Sequence, residues 1–301
     1  MLRHVLAAIV AAFAYQPDPA MLRRLYEDAL ARREIEFGMQ DERTAQAARD
    51  LGMFLARQGD TRAAQSALVE AVTIDEAAAG PKATVTLEDV AGLAAVSAPA
   101  VAEGFWLRAA EADDAKLAAR ALGALGDLHN AGGDRTGAAG FYRRALAKEE
   151  AASGRDSEAV AQRLNALSHA VEIKEGIAML ERALAIDRRA LGARHPQTAS
   201  TEANLAGLLV NAKRHDDAIR MATDAMSVFE ETLGPDHPRC AVTASILAYA
   251  LEAKGEKTKA ERMYRRAVAI DEQAYGAGHP QTAEDRRALE EFLKGKKAAG
   301  K

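Results

Sequence analysis

Six times along the chain a leucine is followed at once by a small residue: Leu51-Gly52, Leu93-Ala94, Leu125-Gly126, Leu167-Ser168, Leu205-Ala206 and Leu247-Ala248. Downstream of each lies a second small position, at Ala64, Ala102, Ala138, Gly176, Ala218 and Ala260. Four residues later comes a usually bulky side chain: Leu68, Trp106, Tyr142, Leu180, Ala222 and Tyr264. Three further on stands alanine without exception, at 71, 109, 145, 183, 225 and 267. Steps of three and four residues keep apolar positions on one helical face. Small residues let two helices approach, and the bulky one fills the gap to the next pair. The pattern therefore predicts six helix–turn–helix units at about 41–79, 83–113, 114–152, 156–191, 196–233 and 238–275, each covering its neighbour's apolar side. An extra helix is predicted at about 20–36, with Tyr26 and Ala29 in the register of a second helix. Another at about 280–294 closes the array, leaving 295–301 as a flexible basic tail.

The span from the leucine to the last alanine is 20 residues in units 1, 3, 5 and 6, and 16 in units 2 and 4. Four residues is about one helical turn. The hairpins near Ser97-Ala98-Pro99 and Glu172-Ile173-Lys174 are therefore expected to be one turn shorter, with the packing positions kept.

Three connectors share one grammar: "GARHPQTA" at 192–199, "GPDHPRCA" at 234–241 and "GAGHPQTA" at 276–283. Gly192, Gly234 and Gly276 suit a positive-φ position past a helix end. Pro196, Pro238 and Pro280 suit a first turn, where no N–H is needed. His195, His237 and His279 then fall at the N-cap, where other units carry Asp41 or Ser157. Equivalent residues in stacked units sit about two helix layers of ~8–10 Å apart. Zinc–nitrogen bonds are about 2 Å, so the three histidines cannot share one metal. They are helix-start residues.

The order of leucine/small, alanine, aromatic and alanine resembles the tetratricopeptide repeat. The connectors "LGARHPQTA" and "LGPDHPRCA" resemble the 42-residue kinesin light chain type. The likeness covers about residues 20–294 and is strongest over 180–290. It implies an all-α fold, a right-handed α-solenoid of about six repeats, and a concave face built by the first helices. In that family an Asn just before the leucine contacts a peptide backbone; only Asn204 matches here. The basic and Asn carboxylate clamp of chaperone-binding relatives is missing.

Alanine and leucine dominate the 49% apolar fraction and aromatics are 5%, in keeping with helices. A net charge of -4 gives no global attraction for nucleic acid or anionic membranes. The single cysteine, Cys240, excludes an intramolecular disulfide and a Cys-based zinc site. It reads as a helix-start residue whose thiol, if exposed, is open to modification. "MLRHVLAAIVAAFA" at 1–14 has the charged, apolar and A-x-A parts of a secretory signal peptide, with cleavage expected after Ala14. The run is too short to span a bilayer, which needs ~20 residues. Its alternative, a buried first helix, lacks the polar face an end helix keeps. A working signal places the mature chain in the periplasm or outside the cell; otherwise it is cytoplasmic.

No nucleophile elbow, zinc-protease or CxxC motif occurs. "GGDRTG" at 132–137 lacks the Gly-Lys-Ser/Thr ending of a phosphate loop and falls at a hairpin turn. His129 and His169 stand alone on first helices. Lys294, Lys296, Lys297 and Lys301 make up the solvated tail. Neither a cofactor nor a metal is implied. Register counted from each leucine points Arg49, Met53, Arg57, Asp127, Asn130, Asn165, His169, Asn204, Asn211, Tyr249 and Glu252 into the groove. Asn offers a peptide unit both a donor and an acceptor. The function expected is a non-enzymatic scaffold that binds a peptide or helix of a protein partner in its groove. The alternative is a structural component acting through end-to-end or lateral contacts.

Overall fold

The computed structural model describes residues 18–298, so the proposed signal segment lies outside the described residues. These form fourteen helices and no strand. Contacts gather them into two compact units, one up to Leu128 and one from His129. The first unit holds α1 (Pro19–Phe37), α2 (Glu42–Arg57), α3 (Thr61–Ala79), α4 (Thr84–Ala95), α5 (Pro99–Ala109) and most of α6 (Ala115–Ala131). The second continues with α7 (Arg135–Ser153), α8 (Glu158–Ser168), α9 (Ile173–Ala190), α10 (Pro196–Asn211), α11 (His215–Leu233), α12 (Pro238–Ala253), α13 (Lys257–Tyr275) and α14 (Pro280–Ala298). The six predicted units are thus the pairs from α2/α3 to α12/α13, with α1 and α14 outside them. The fold is an all-α helical-repeat solenoid.

The repeat positions are the core. All six final alanines have no exposed surface, and Leu68, Tyr142, Leu180 and Tyr264 are buried behind them. Small residues are needed where predicted: a Cβ added to Gly176 would stand 2.5 Å from the Ser168 carbonyl oxygen. The short hairpins are short for the reason anticipated. α4 stops at Ala95 and α8 at Ser168, one to two residues past their leucines, whereas α2 runs on to Arg57. Tyr26 of α1 stacks on Phe54 of α2 at 4.9 Å.

The connector grammar holds with one refinement. Gly192, Gly234 and Gly276 have φ of 89°, 94° and 84°. The ψ values of Gly234 and Gly276, 154° and 163°, lie in an extended positive-φ region that only glycine enters freely. Nδ1 of His195, His237 and His279 accepts the N–H of Gln197, Arg239 and Gln281 at 3.1, 3.1 and 3.2 Å. Each ring therefore caps its helix, as the Asp41 carboxylate does for Arg43 N–H at 2.9 Å. Three residues past each cap, Thr198 and Thr282 donate to the carbonyls of Gly192 and Gly276. Cys240 occupies that same slot, with Sγ 3.5 Å from the Gly234 oxygen. The thiol is buried, and burial pushes its pKa up, so it is not the exposed group considered above.

At the C-terminus the expected tail is shorter. α14 continues to Ala298, and Lys296 pairs with Glu261 at 2.6 Å. No described helix is long and apolar enough to cross a membrane.

Candidate functional site at the joints between repeats

Three joints, each within one unit, bring together the same three register positions. They are the residue two before the leucine, the residue four past the last alanine, and the residue four before the next leucine. At the first joint these are Arg49, Asp75 and Asp89. Arg49 donates to Asp75 at 2.7 Å and to Oδ2 of Asp89 at 3.0 Å, and both carboxylates are buried. Burial pushes Asp89 up to about 6 against the pull of Arg49. In the second unit the same slots hold Asn165, Asp187 and Thr201. Thr201 Oγ1 donates to Asp187 at 2.7 Å and accepts from Asn165 Nδ2 at 3.1 Å. Against the last helix they hold Ser245, Asp271 and Asp285. Ser245 donates to Asp285 at 3.0 Å, and burial pushes Asp285 up to about 6. No protein donor reaches the Asp271 carboxylate oxygens among the described residues.

The joint between α10/α11 and α12 breaks this pattern. Its slots hold Ala203, Phe229 and Thr243, with an aromatic ring where those three carry a buried aspartate. A cleft of about 290 Å³ opens there, lined by Ser200, Asn204, Arg239, Val242 and Tyr275 over Phe229. Val242 is 50% and Tyr275 47% exposed. The Arg239 guanidinium lies 5.7 Å from the Phe229 centroid and donates to Ser200 Oγ at 2.6 Å. Asn204 on the opposite wall donates to Asn165 Oδ1 at 2.7 Å, which fixes its amide. The cleft is thus an apolar floor with a polar, cationic rim. That arrangement can hold an apolar side chain and a neighbouring carbonyl or carboxylate.

The groove residues named from register are dispersed. Arg49, Met53, Arg57 and Asp127 belong to the first unit; Asn130, Asn165, His169, Asn204, Asn211, Tyr249 and Glu252 belong to the second. Arg49 is drawn into its carboxylate pair, leaving its side chain 20% exposed. Met53 lines a separate cavity of about 420 Å³ with Trp106 and Arg120. Arg57, Asp127, Asn130, His169 and Asn211 are at the surface. Asn165 and Asn204 are brought together. Tyr249 meets Tyr264 edge-on at 5.4 Å, and Glu252 accepts the Tyr264 hydroxyl at 2.7 Å. Ser200, Phe229, Arg239, Val242 and Tyr275 were not singled out from sequence. One cue was present, since Arg239 follows the connector proline where the other two connectors have Gln197 and Gln281.

The lone histidines have local partners. His129 Nδ1 sits 2.8 Å from the Asp134 carboxylate, five residues on, which corrects its reading as isolated from acids. Asp134 caps α7 through Gly137 N–H at 2.9 Å, so the glycine-rich "GGDRTG" is the hairpin turn expected. The His169 carbonyl accepts from Arg135 at 2.9 Å. Among the described residues, no three side chains of metal-ligand type gather.

Comparison with known proteins agrees with this architecture. Family models for the tetratricopeptide repeat match residues 166–231, 201–273 and 121–156. Among solved structures, BtubC (BKLC) from P. vanneervenii is 22% identical, covering 87% of this chain and 92% of that one, with a TM-score of 0.50. PilF of Pseudomonas aeruginosa is 17% identical over 81% of this chain and 97% of its own, with a TM-score of 0.54. The Cut9–Hcn1 hetero-tetramer of the APC/C gives 16% identity and a TM-score of 0.58, covering 96% of this chain and 52% of that one. No curated protein sequence matches the chain. At these identities the structural likeness is one of fold. With the repeat models matching in register, the chain is a tetratricopeptide-repeat protein.

Proposed function

We propose that the chain is a scaffold that captures a segment of a protein partner on the first-helix face of its second unit, with the Phe229 cleft taking an apolar anchor side chain. Tetratricopeptide-repeat folds generally mediate protein–protein interaction or assembly, and members of the family are generally non-enzymatic. The observation that carries the finer reading is the joint where Phe229 stands in the place of the buried aspartate of three other joints and a cleft opens. Departures from an otherwise consistent pattern tend to mark functional positions. Asn204 and Ser200 would hold backbone groups of the segment, and Arg239 would favour an acidic residue beside the anchor. On this reading nucleic acid is not the partner, and the mature chain works outside the cytoplasm if residues 1–14 act as a signal.

The test is selection of random displayed peptides on the immobilised chain. Enriched peptides should share one large apolar residue next to an acidic one. Val242→Glu should weaken their binding at least about tenfold, the loss of a buried apolar anchor, with the helical circular dichroism unchanged. Peptides that bind the variant equally well would refute the cleft assignment.

A further inference from the structure

The two end helices treat their outer faces differently. The end helices of a repeat stack need a polar outer face, and α14 has one, exposing Glu284, Arg287, Glu290, Glu291 and Lys294. α1 mixes exposed charges such as Arg24, Asp28 and Arg32 with large exposed apolar side chains. Its inner side chains Leu22, Tyr26 and Leu30 pack on Leu51, Phe54 and Leu55. Its outer side carries Met21 at 51% exposure, Leu25 at 53% and Ile35 at 87%, with Met39 at 63% just past the helix end. Met21, Leu25, Asp28, Arg32 and Ile35 follow one another in alternating steps of four and three, the spacing of a helix-pairing seam. Asp28 and Arg32, in the middle, are exposed and have no ion-pair partner among the described residues.

This seam is its own complement. We propose that α1 pairs antiparallel with α1 of a second copy of the chain, about a two-fold axis at the level of residue 30. That register sets Leu25 against the partner's Ile35. It also sets Asp28 against the partner's Arg32, twice by symmetry, as an isologous interface requires. A parallel pairing would set Asp28 on Asp28 and Arg32 on Arg32, so charge selects the antiparallel arrangement. One helix per side is small against the ~1,600 Å² of a standard interface, the size range of weak, transient association. The inference does not rest on the Phe229 cleft.

Sedimentation velocity of the full chain from about 1 to about 200 µM tests it. The chain should pass from monomer to dimer across that range. Leu25→Asp with Ile35→Asp should keep it monomeric. Asp28→Arg and Arg32→Asp alone should each weaken the dimer about tenfold, because each sets two like-charge pairs across the axis. The two together should restore it to within about threefold. Circular dichroism of every variant controls for folding. A chain that stays monomeric overturns the proposal; residues 1–17 of the same chain, or a different protein, would then be the cover. Self-association indifferent to Leu25 and Ile35, or not recovered by the double charge swap, overturns it equally.

Discussion

Two joints of this molecule hold a buried pair of aspartates at the same register positions and differ in what stands beside it. At Asp75 and Asp89 the neighbour is Arg49, which binds both carboxylates. At Asp271 and Asp285 it is Ser245, a single hydroxyl. In both, burial raises one carboxyl to about 6. One pair keeps a permanent counter-charge; the other has only a hydroxyl beside it. The repeat therefore fixes where polar groups meet, while a single residue, two before the leucine, decides whether a cation stands among them.

Breaking the first pair should have the largest effect. Arg49→Met leaves two buried carboxylates with no cation and should cost about 3–5 kcal/mol at pH 7 by urea unfolding. The loss should shrink near pH 4, where Asp89 is neutral. A cost below about 1 kcal/mol, or one independent of pH, would mean that the pair is already neutral without arginine.

The second pair should respond in the opposite sense. Asp285 has a folded pKa above its unfolded value, so the fold favours its neutral form. The ionisation penalty sets in as pH rises from about 4, is complete above about 6, and is absent in more acid solution. Asp285→Asn should therefore stabilise the chain by roughly 1–2 kcal/mol at pH 7.5 and leave it unchanged near pH 4. Destabilisation at pH 7.5 would show that the carboxylate form is the one the joint needs.

The smallest effect sharpens the comparison by converting one joint into the other. Ser245 is only partly buried, which leaves room for a longer side chain. Ser245→Arg should pull the Asp285 midpoint down and add up to ~1 kcal/mol at pH 7.5. An unmoved midpoint, followed by carboxyl carbon shifts in nuclear magnetic resonance, would show that register alone does not recreate the Arg49 geometry.

Much of this architecture was legible in the sequence, for a plain reason. Positions such as Ala71 and Tyr264 are read by packing alone, and packing leaves an apolar or small residue at a fixed period. The helix caps were legible too, since Gly, His and Pro each answer one backbone requirement. Polar residues carry no such sign of burial. Register counting sent Arg49 to the groove because it could not see Asp75 and Asp89 waiting beneath it from two other helices. Asn165 and Asn204 were both named, yet their bond to each other depends on two repeats stacking. The cleft escaped because Phe229 looks like one more core residue until it is set beside Asp75, Asp187 and Asp271. The outer stripe of α1 could be read from its spacing, but its significance depends on knowing which face α2 covers.

The central claim is that the joint carrying Phe229 is where the chain meets its partner. Hydrogen–deuterium exchange with and without a peptide selected on the wild-type chain tests this most directly. New protection should gather at about 196–208 and 236–246, the two walls of the cleft. Protection gathered at 158–170, or spread evenly over the first helices, would contradict it.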